Sequence, residues 1–371
     1  GLAGKPLWIG VSARDFFGTY SPMYIEDGRK EFAKLQGVYR VLGAERMVEW
    51  YETPLPHALS HDLRVQIYNF LERHLRGSEK TVAEPPVKPE PDATLCVGKT
   101  GNVVRDFGSK TPLKLAQEKI AEPQPSAVVL PRVLQMDMRK HLQADKHVEW
   151  RTLGKAIGES GGIEAMEVDS DEQVWLPGFV FLPRVESKTV LLALDPRGRA
   201  ARWREGDLYH QLASTGLVVA AFDVRGVGDL SPEVSSGNPF YTKPHAEEDS
   251  YAWASLILGR SLLGQRVTDI LAIGLALRKR FPGSRLVVAA NGHLSTSALF
   301  AGSLDPEIAK VLTAGGLRSY KELLESEEYS EPFANFIPNG AKLNLMEKTR
   351  AGLGSRFIEA KAWTVEALSS L

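Results

Sequence analysis

Short apolar runs alternate with amphipathic segments along most of this chain. Residues 5–12, 217–222 and 285–290 are mostly apolar, and each run has the length of one strand. Residues 28–42 and 62–75 instead repeat their apolar positions at helical spacing. Strands that are apolar on both faces usually lie in parallel sheets covered by helices. The pattern therefore predicts an α/β fold with a mostly parallel, doubly wound sheet.

The same pattern predicts the remaining elements and one interruption. Further strands are expected at 45–51, 163–168, 174–182, 189–194 and 311–314, a small hairpin at 94–104, and helices at 133–142, 148–157, 205–214, 252–280 and from 295 onward. Residues 78–92 are charged and rich in proline, which is typical of a linker. We therefore expect two parts, one on each side of this segment.

Five segments resemble one family of enzymes. FDVRGVGDL at 222–230 is similar to the loop after the fourth strand of esterase-type α/β-hydrolases, and residues 258–278 to the helix that follows it in acetyl xylan esterase-like members. RLVVAANGHLSTSALFAGSLDP at 285–306 has the strand–turn–helix pattern of a nucleophile elbow. PLWIGVSARDFF at 6–17 resembles the strand whose tip bears the triad acid, and TPLPHALSHDLR at 53–64 the loop that bears the triad histidine. The resemblance implies an α/β-hydrolase fold with helices on both faces of the sheet.

The order of these segments differs from that of the family, in which the elbow precedes the acid and the histidine. One explanation is a circular permutation, in which residues 1–77 complete the sheet begun by residues 160–315. The other is a slice of a tandem protein, with the tail of one hydrolase before the front of a second. We favour the single permuted sheet, because each half alone leaves an apolar strand edge unpaired. A homodimer that exchanges these halves would pair the same edges.

The predicted organisation follows from this resemblance. It comprises a C-terminal-type half at 1–77, a linker at 78–92, a hairpin and helical lead-in at 93–160, an N-terminal-type half with the elbow at 161–340, and a tail at 341–371. The tail has no counterpart in the family, and its last residues look helical.

The resemblance implies a catalytic base and acid in the first half. His57, followed by Ala58 and later by Arg64, matches the triad histidine, and Asp15 matches the acid at its strand tip. His61 is the alternative base. From the residues alone, the alternative for His57 is a surface-loop histidine, and the alternative for Asp15 is an aspartate in an Asx turn that ends the strand.

The elbow carries no serine at the position of the nucleophile. The family pattern Gly-x-Ser-x-Gly corresponds to residues 290–294, so Gly292 stands where the serine belongs and cannot form an acyl-enzyme. Glycine does allow the positive φ of a sharp turn. Ser295 is the candidate displaced nucleophile, although a helix N-cap is the simpler interpretation. His293 is a candidate pocket residue, and Gly198 is either an oxyanion donor or a turn glycine.

Two other groups of residues are interpreted as structural. Asp223 and Arg225 follow a predicted strand, where a carboxylate commonly pairs with an arginine or with turn amides. Trp175, Trp203 and Trp253 could line a sugar pocket, but tryptophan more often packs in cores or at their rims.

The composition of the chain argues against several classes of partner and cofactor. With 45 basic and 46 acidic side chains, the chain offers no basic stripe for nucleic acid or an anionic membrane surface. The single cysteine, Cys96, excludes an intramolecular disulfide and a cysteine-rich metal site. No spacing of histidines and carboxylates is typical of a metal site, so we expect neither a metal nor another cofactor. The composition does not identify the cellular compartment, and both secretion and a periplasmic location are compatible with it.

The sequence therefore predicts a hydrolase that resembles acetyl xylan esterases and removes acyl groups from carbohydrate or small-molecule esters. Its site would be of the Ser/His/Asp type, with the nucleophile missing or displaced. The alternative is a catalytically inactive hydrolase-fold domain with a binding or structural role.

Overall fold

The structure, a computed structural model, describes residues 4–14, 24–120, 129–136, 148–158, 160–170, 174–232 and 246–369. These residues form two compact units. The first unit extends to Ser109, and the second begins at Lys110.

The first unit is a β–α–β–α arrangement. Its elements are β1 (Leu7–Arg14), α1 (Tyr24–Val41), β2 (Val48–Pro56) and α2 (His61–Arg76), followed by two short helices, α3 (Asp92–Leu95) and α4 (Val103–Phe107). Strands β1 and β2 are parallel, with Leu7 opposite Val48. A parallel pair needs a crossover connection, and α1 lies within that connection. Helix α2 ends at Gly77, whose φ of +62° suits a left-handed helix cap.

Ion pairs surround a small core in this unit. Tyr39, Val48 and Leu63 are its buried apolar side chains among the described residues. Around them lie the pairs Arg29–Glu52, Arg40–Glu45, Arg64–Glu84 and Arg73–Glu49. The pair with Glu84 holds part of the predicted linker against α2.

The second unit contains a sheet of eight described strands. They are β3 (Trp150–Gly158), β4 (Gly161–Asp169), β5 (Trp175–Pro183), β6 (Thr189–Leu194), β7 (Val218–Phe222), β8 (Arg285–Asn291), β9 (Ile308–Ala314) and β10 (Phe357–Ala360), in the spatial order β10-β9-β8-β6-β7-β5-β4-β3. The five strands from β10 to β7 are parallel, and β5, β4 and β3 continue the sheet in antiparallel fashion.

Helices cover both faces of this sheet. The helices described in this unit are α5 (Pro112–Ile120), α6 (Leu130–Val133), α7 (Leu208–Ser214), α8 (Ala246–Ile257), α9 (Leu262–Arg280), α10 (Leu294–Leu304), α11 (Leu345–Leu353) and α12 (Val365–Ser369). Alternate side chains of β6 enter opposite cores: Leu192 packs with the α9 and α10 side, and Leu191 with the α7 and α12 side. The two-sided burial explains why the central strands are continuous apolar runs, and it confirms the predicted sheet.

Three predicted elements were wrong, and most of the predicted helix at 133–142 lies outside the described residues. Residues 94–104 contain the helical turns of α3 and α4 instead of a hairpin, and residues 148–157 enter strand β3 because they pair with β4. The long helix at 252–280 is broken into α8 and α9, with Gly259 at φ +72° in the break. The tail at 341–371 contributes α11, β10 and α12. Pairing with distant strands decides β3 and β10, and their own periodicity does not reveal it.

The single permuted sheet was also wrong for the described strands. Strands β1 and β2 pair with each other and with no other strand that the structure describes. Strand β10, from the tail of the chain, pairs with the edge of β9 instead. The permutation itself therefore stays a prediction without support from the strand pairing.

Candidate functional site

A sharp strand-to-helix turn lies at the carboxyl end of β8. Strand β8 ends at Asn291, Gly292 has a φ of +54°, and α10 begins at Leu294. The N–H of Gly292 donates to the carbonyl oxygen of Ala314 at 2.9 Å, and the N–H of Ser295 donates to that of Gly292 at 3.0 Å. These bonds fix the turn against the end of β9.

At position 316, beside this turn, backbone packing leaves no room for any residue larger than glycine. A Cβ on Gly316 would lie 2.3 Å from the carbonyl oxygen of Gly292, and its φ is +86°. At Gly292 itself, a Cβ would lie 3.3 Å from Cγ of Pro196, a tight but smaller conflict. Gly316 is therefore required by packing, whereas Gly292 is required mainly by its backbone conformation.

The turn opens into a cleft of about 470 Å³ within the second unit. Its lining includes Gly292, His293, Gly316, Leu317, Glu322, Leu323, Glu328, Tyr329, Ser330, Glu331 and Pro332. Three of these residues are glutamates, and the described lining contains no lysine or arginine. The cleft thus offers hydrogen-bond acceptors and a negative potential to a ligand.

Asn335 ties the wall of this cleft to the turn. It is fully buried, and its Nδ2 donates to the carbonyl oxygen of His293 at 2.7 Å and to Oε1 of Glu331 at 2.5 Å. The hydroxyl of Tyr320 donates to the carbonyl oxygen of Asn335 at 2.6 Å. Burial raises the pKa of Tyr320 well above its usual range, so this donor stays protonated.

Comparison with solved structures finds esterases. A Bacteroides fragilis protein assigned as an acetyl xylan esterase has a TM-score of 0.53 and 13% identity, over 71% of this chain and 77% of that one. The acetyl xylan esterase of Paenibacillus sp. R4 has a TM-score of 0.42 and 20% identity, over 60% and 70% of the two chains. The sequence matches no family model and no curated protein. The fold is that of an α/β-hydrolase.

In this hydrolase fold, Ser295 does not reach the cleft. Its side chain is 1% exposed, and its Oγ donates to the carbonyl oxygen of Ala290 at 3.3 Å. Ser297 on the same helix is fully buried. A nucleophile must contact the substrate carbonyl, so this arrangement counts against Ser295 in that role. The N-cap interpretation also fails, because α10 begins one residue earlier, at Leu294.

Gly198 forms a turn whose N–H is already paired. That N–H donates to the carbonyl oxygen of Asp195 at 2.9 Å, and the residue has a φ of +87°. A Cβ there would lie 2.7 Å from Cα of Gly228 and 2.8 Å from Oδ1 of Asp223. The geometry therefore favours the turn interpretation of Gly198 over that of an oxyanion donor.

Asp223 and Arg225 are structural, as the sequence predicts. The buried carboxylate of Asp223 accepts from the backbone N–H of Arg199 at 2.5 Å, from its guanidinium, and from the N–H of Asp229 at 3.0 Å. Arg225 binds the buried carboxylate of Asp269, with its Nη2 at 2.8 Å from Oδ1. The Asp223–Arg199 pair joins the loop after β7 to the loop after β6, and the Arg225–Asp269 pair joins it to α9.

The predicted acid and base belong to the first unit. His57 directly follows β2 and is exposed, whereas Asp15 lies outside the described residues. Nη1 of Arg64 donates to the carbonyl oxygen of Leu59 at 2.6 Å, which fixes the loop after His57. His61 is exposed, with its Nε2 at 3.6 Å from Oε2 of Glu84. The catalytic roles of His57 and Asp15 stay predictions.

The cleft wall was missed by the sequence interpretation. The structure places His293 in that wall, while its role stays a prediction, and adds Glu322, Glu328, Glu331 and Asn335. The acid-rich stretch at 322–331 was the available signal. An acidic stretch is usually a solvated surface, so it could not be assigned to the elbow without the fold.

The described residues show neither a metal-binding cluster nor a membrane-spanning helix. These residues contain no group of three or more histidine, cysteine, aspartate or glutamate side chains that could hold a metal ion. Among the helices described, none is long and apolar enough to span a bilayer.

Proposed function

We propose that this protein is an esterase-type hydrolase that cleaves carboxylic esters, with acetylated carbohydrate as the preferred substrate class. The observation that carries the proposal is the strand–turn–helix elbow at Gly292, which opens into a cleft in a fold shared with esterases. In the reaction, water and an ester give a carboxylic acid and an alcohol.

The base in this proposal is His57, oriented by Asp15. A histidine can take a proton from an attacking hydroxyl or from water in the transition state. Gly292 has no side chain, and the Oγ of Ser295 is buried against Ala290. We therefore infer that water attacks the ester carbonyl directly, without an acyl-enzyme on either of those two residues.

The test is hydrolysis of p-nitrophenyl acetate by the wild type and by His57→Ala, Ser295→Ala and His61→Ala. We expect His57→Ala to lower kcat/KM by about 100-fold or more, because general-base catalysis contributes that much. Ser295→Ala should retain activity. His61→Ala tests the alternative base, an exposed imidazole four residues away, and should retain activity if His57 is the base.

Two results would overturn the enzymatic proposal. One is a wild type whose turnover does not exceed that of buffer, and the other is full activity in His57→Ala. Circular dichroism of each variant separates loss of activity from loss of fold.

A second candidate function, ligand binding without catalysis in the second unit, is favoured by Gly292 and by the burial of Ser295. The cleft would then bind an uncharged sugar, whose hydroxyls donate to Glu322, Glu328 and Glu331. Titration calorimetry with an acetylated xylo-oligosaccharide should show binding that Glu328→Gln weakens. The neighbouring Glu327→Gln, outside the cleft lining, is the control. Hydrolysis that Glu328→Gln abolishes would contradict a binding-only role.

A further inference from the structure

A second cavity of the second unit lies apart from the elbow turn. It has a volume of about 450 Å³, within the range of small-molecule sites. It is lined by Ala116, Lys119, Ile120, Tyr320, Leu323, Leu324, Phe336, Ile337, Asn339, Gly340, Ala341 and Lys342. Of these residues, only Leu323 also lines the elbow cleft. The cavity is therefore a neighbour of that cleft and not a part of it.

The walls of this cavity are held in place by specific contacts. Nε2 of Gln117 on α5 donates to the carbonyl oxygen of Leu324 at 2.6 Å, so the helix is fastened to the opposite wall. A Cβ on Gly340 would lie 2.8 Å from the ring of Tyr320, so the ring packs directly on the backbone there. The Tyr320 hydroxyl is bonded to Asn335. A cavity built this way is largely formed before a ligand arrives.

The chemistry of the lining is amphipathic. Tyr320, Leu323, Leu324, Phe336 and Ile337 supply an apolar surface. The charged side chains of the described lining are two lysines, Lys119 and Lys342, and it contains no aspartate or glutamate. Within the described part of the chain, Lys119 has no ion-pair partner. This charge pattern is opposite to that of the elbow cleft, whose charged side chains include three glutamates.

We propose that this cavity binds a small amphipathic carboxylate, with an acyl chain or ring among the apolar side chains and the carboxylate beside the lysines. Burial of the apolar body supplies most of the affinity, and the ammonium groups select an anionic head over a neutral or cationic one. The inference does not depend on the proposed hydrolysis, because it concerns binding at a separate set of residues.

The test is titration calorimetry of the whole chain with sodium octanoate, compared with octan-1-ol and octylammonium chloride. We expect octanoate to bind most tightly. Ala116→Trp should abolish binding, because the indole fills the cavity from α5. Lys119→Glu should weaken octanoate binding about fivefold or more, as for loss of an exposed charge pair. Lys114→Glu on the same helix, outside the lining, should leave the affinity unchanged.

Three outcomes would overturn the proposal. They are an absence of octanoate binding, unchanged binding in Ala116→Trp, and octylammonium binding as tight as that of octanoate. Circular dichroism of Ala116→Trp shows whether that variant is folded. Because hydrolysis of p-nitrophenyl acetate is measured separately, failure of this binding test leaves the proposed function intact, and the converse also holds.

Discussion

The loop after β2 in the first unit and the turn after β8 in the second are built in opposite ways. The first loop carries the exposed His57 and is fixed by polar side chains, such as Arg64 on the carbonyl of Leu59. The second turn is fixed by backbone packing, with Gly316 against Gly292 and buried residues on both sides. The first region thus presents an exposed histidine on a loop, and the second presents a tightly packed strand-to-helix turn with glycine at its centre.

The same contrast extends to how each unit is stabilised. The first unit has few buried apolar side chains and several partly exposed ion pairs, whereas the second has apolar cores on both faces of its sheet. Exposed ion pairs contribute little to stability, and buried apolar surface contributes most of it. We therefore expect the second unit to be less sensitive to salt, and to be damaged most by changes at buried positions.

The largest effect is expected from Asp223→Ala in the second unit. The carboxylate is fully buried and accepts from the Arg199 guanidinium and from the backbone N–H groups of Arg199 and Asp229, so its removal leaves a partly buried guanidinium and two backbone donors each with one partner fewer. We expect the free energy of unfolding to fall by about 3–5 kcal/mol in urea denaturation. Asp229 is the exposed ion-pair partner of the same arginine. Asp229→Ala should lower the free energy of unfolding by about 1 kcal/mol or less. Equal losses in the two variants would refute the buried role of Asp223.

A smaller effect is expected from Gly316→Ala beside the elbow. Its left-handed backbone costs a side chain about 1–2 kcal/mol, and the contact with the Gly292 carbonyl adds about 1–3 kcal/mol. Gly283→Ala is the control, because its φ is +78° but nothing lies within 4 Å of its Cβ position. Thermal unfolding should therefore show a larger loss for Gly316→Ala. A larger loss for Gly283→Ala would show that the turn is loosely packed.

The smallest effect concerns Asp62 in the first unit. Hydrogen bonds from the hydroxyls of Ser60 and Thr53 lower the pKa of Asp62 to about 2. Because the pKa in the folded state is lowered, this stabilisation is present above the unfolded value of about 4 and is lost as the pH falls towards 2. As the pH is lowered towards 2, the NMR signals of the Trp8 and Trp50 indoles report how much of the first unit is folded. The folded fraction should depend less on pH in Asp62→Asn than in the wild type. Asp92→Asn, an exposed aspartate of this unit, should behave like the wild type.

Particular elements show how far the sequence could predict the fold. The strands around 189–194, 217–222 and 285–290 were predicted because each is apolar on both faces, a property that needs no partner to be visible. Strand β3 was taken for a helix, and β10 was placed in an unassigned tail. Both are edge strands with many partly exposed residues, so only their pairing with β4 and β9 identifies them.

Some features of the candidate site could likewise be predicted from the sequence, and others could not. The glycine at position 292 and its consequence for an acyl-enzyme were evident from the motif. The burial of Ser295, the paired N–H of Gly198 and the cleft wall were not. The hydrogen bond from Asn335 to the carbonyl of His293 joins residues 42 positions apart, so it cannot be predicted from a local sequence pattern.

By itself, the sequence determined the class of fold and the presence of glycine at position 292, because apolar periodicity and a motif are local properties of the chain. The tertiary structure alone decided that β1 and β2 form a separate sheet, that β10 completes the larger one, and that a glutamate-lined cleft adjoins a lysine-lined cavity. Those features arise from contacts between distant residues, whose free energies depend on the packed chain as a whole.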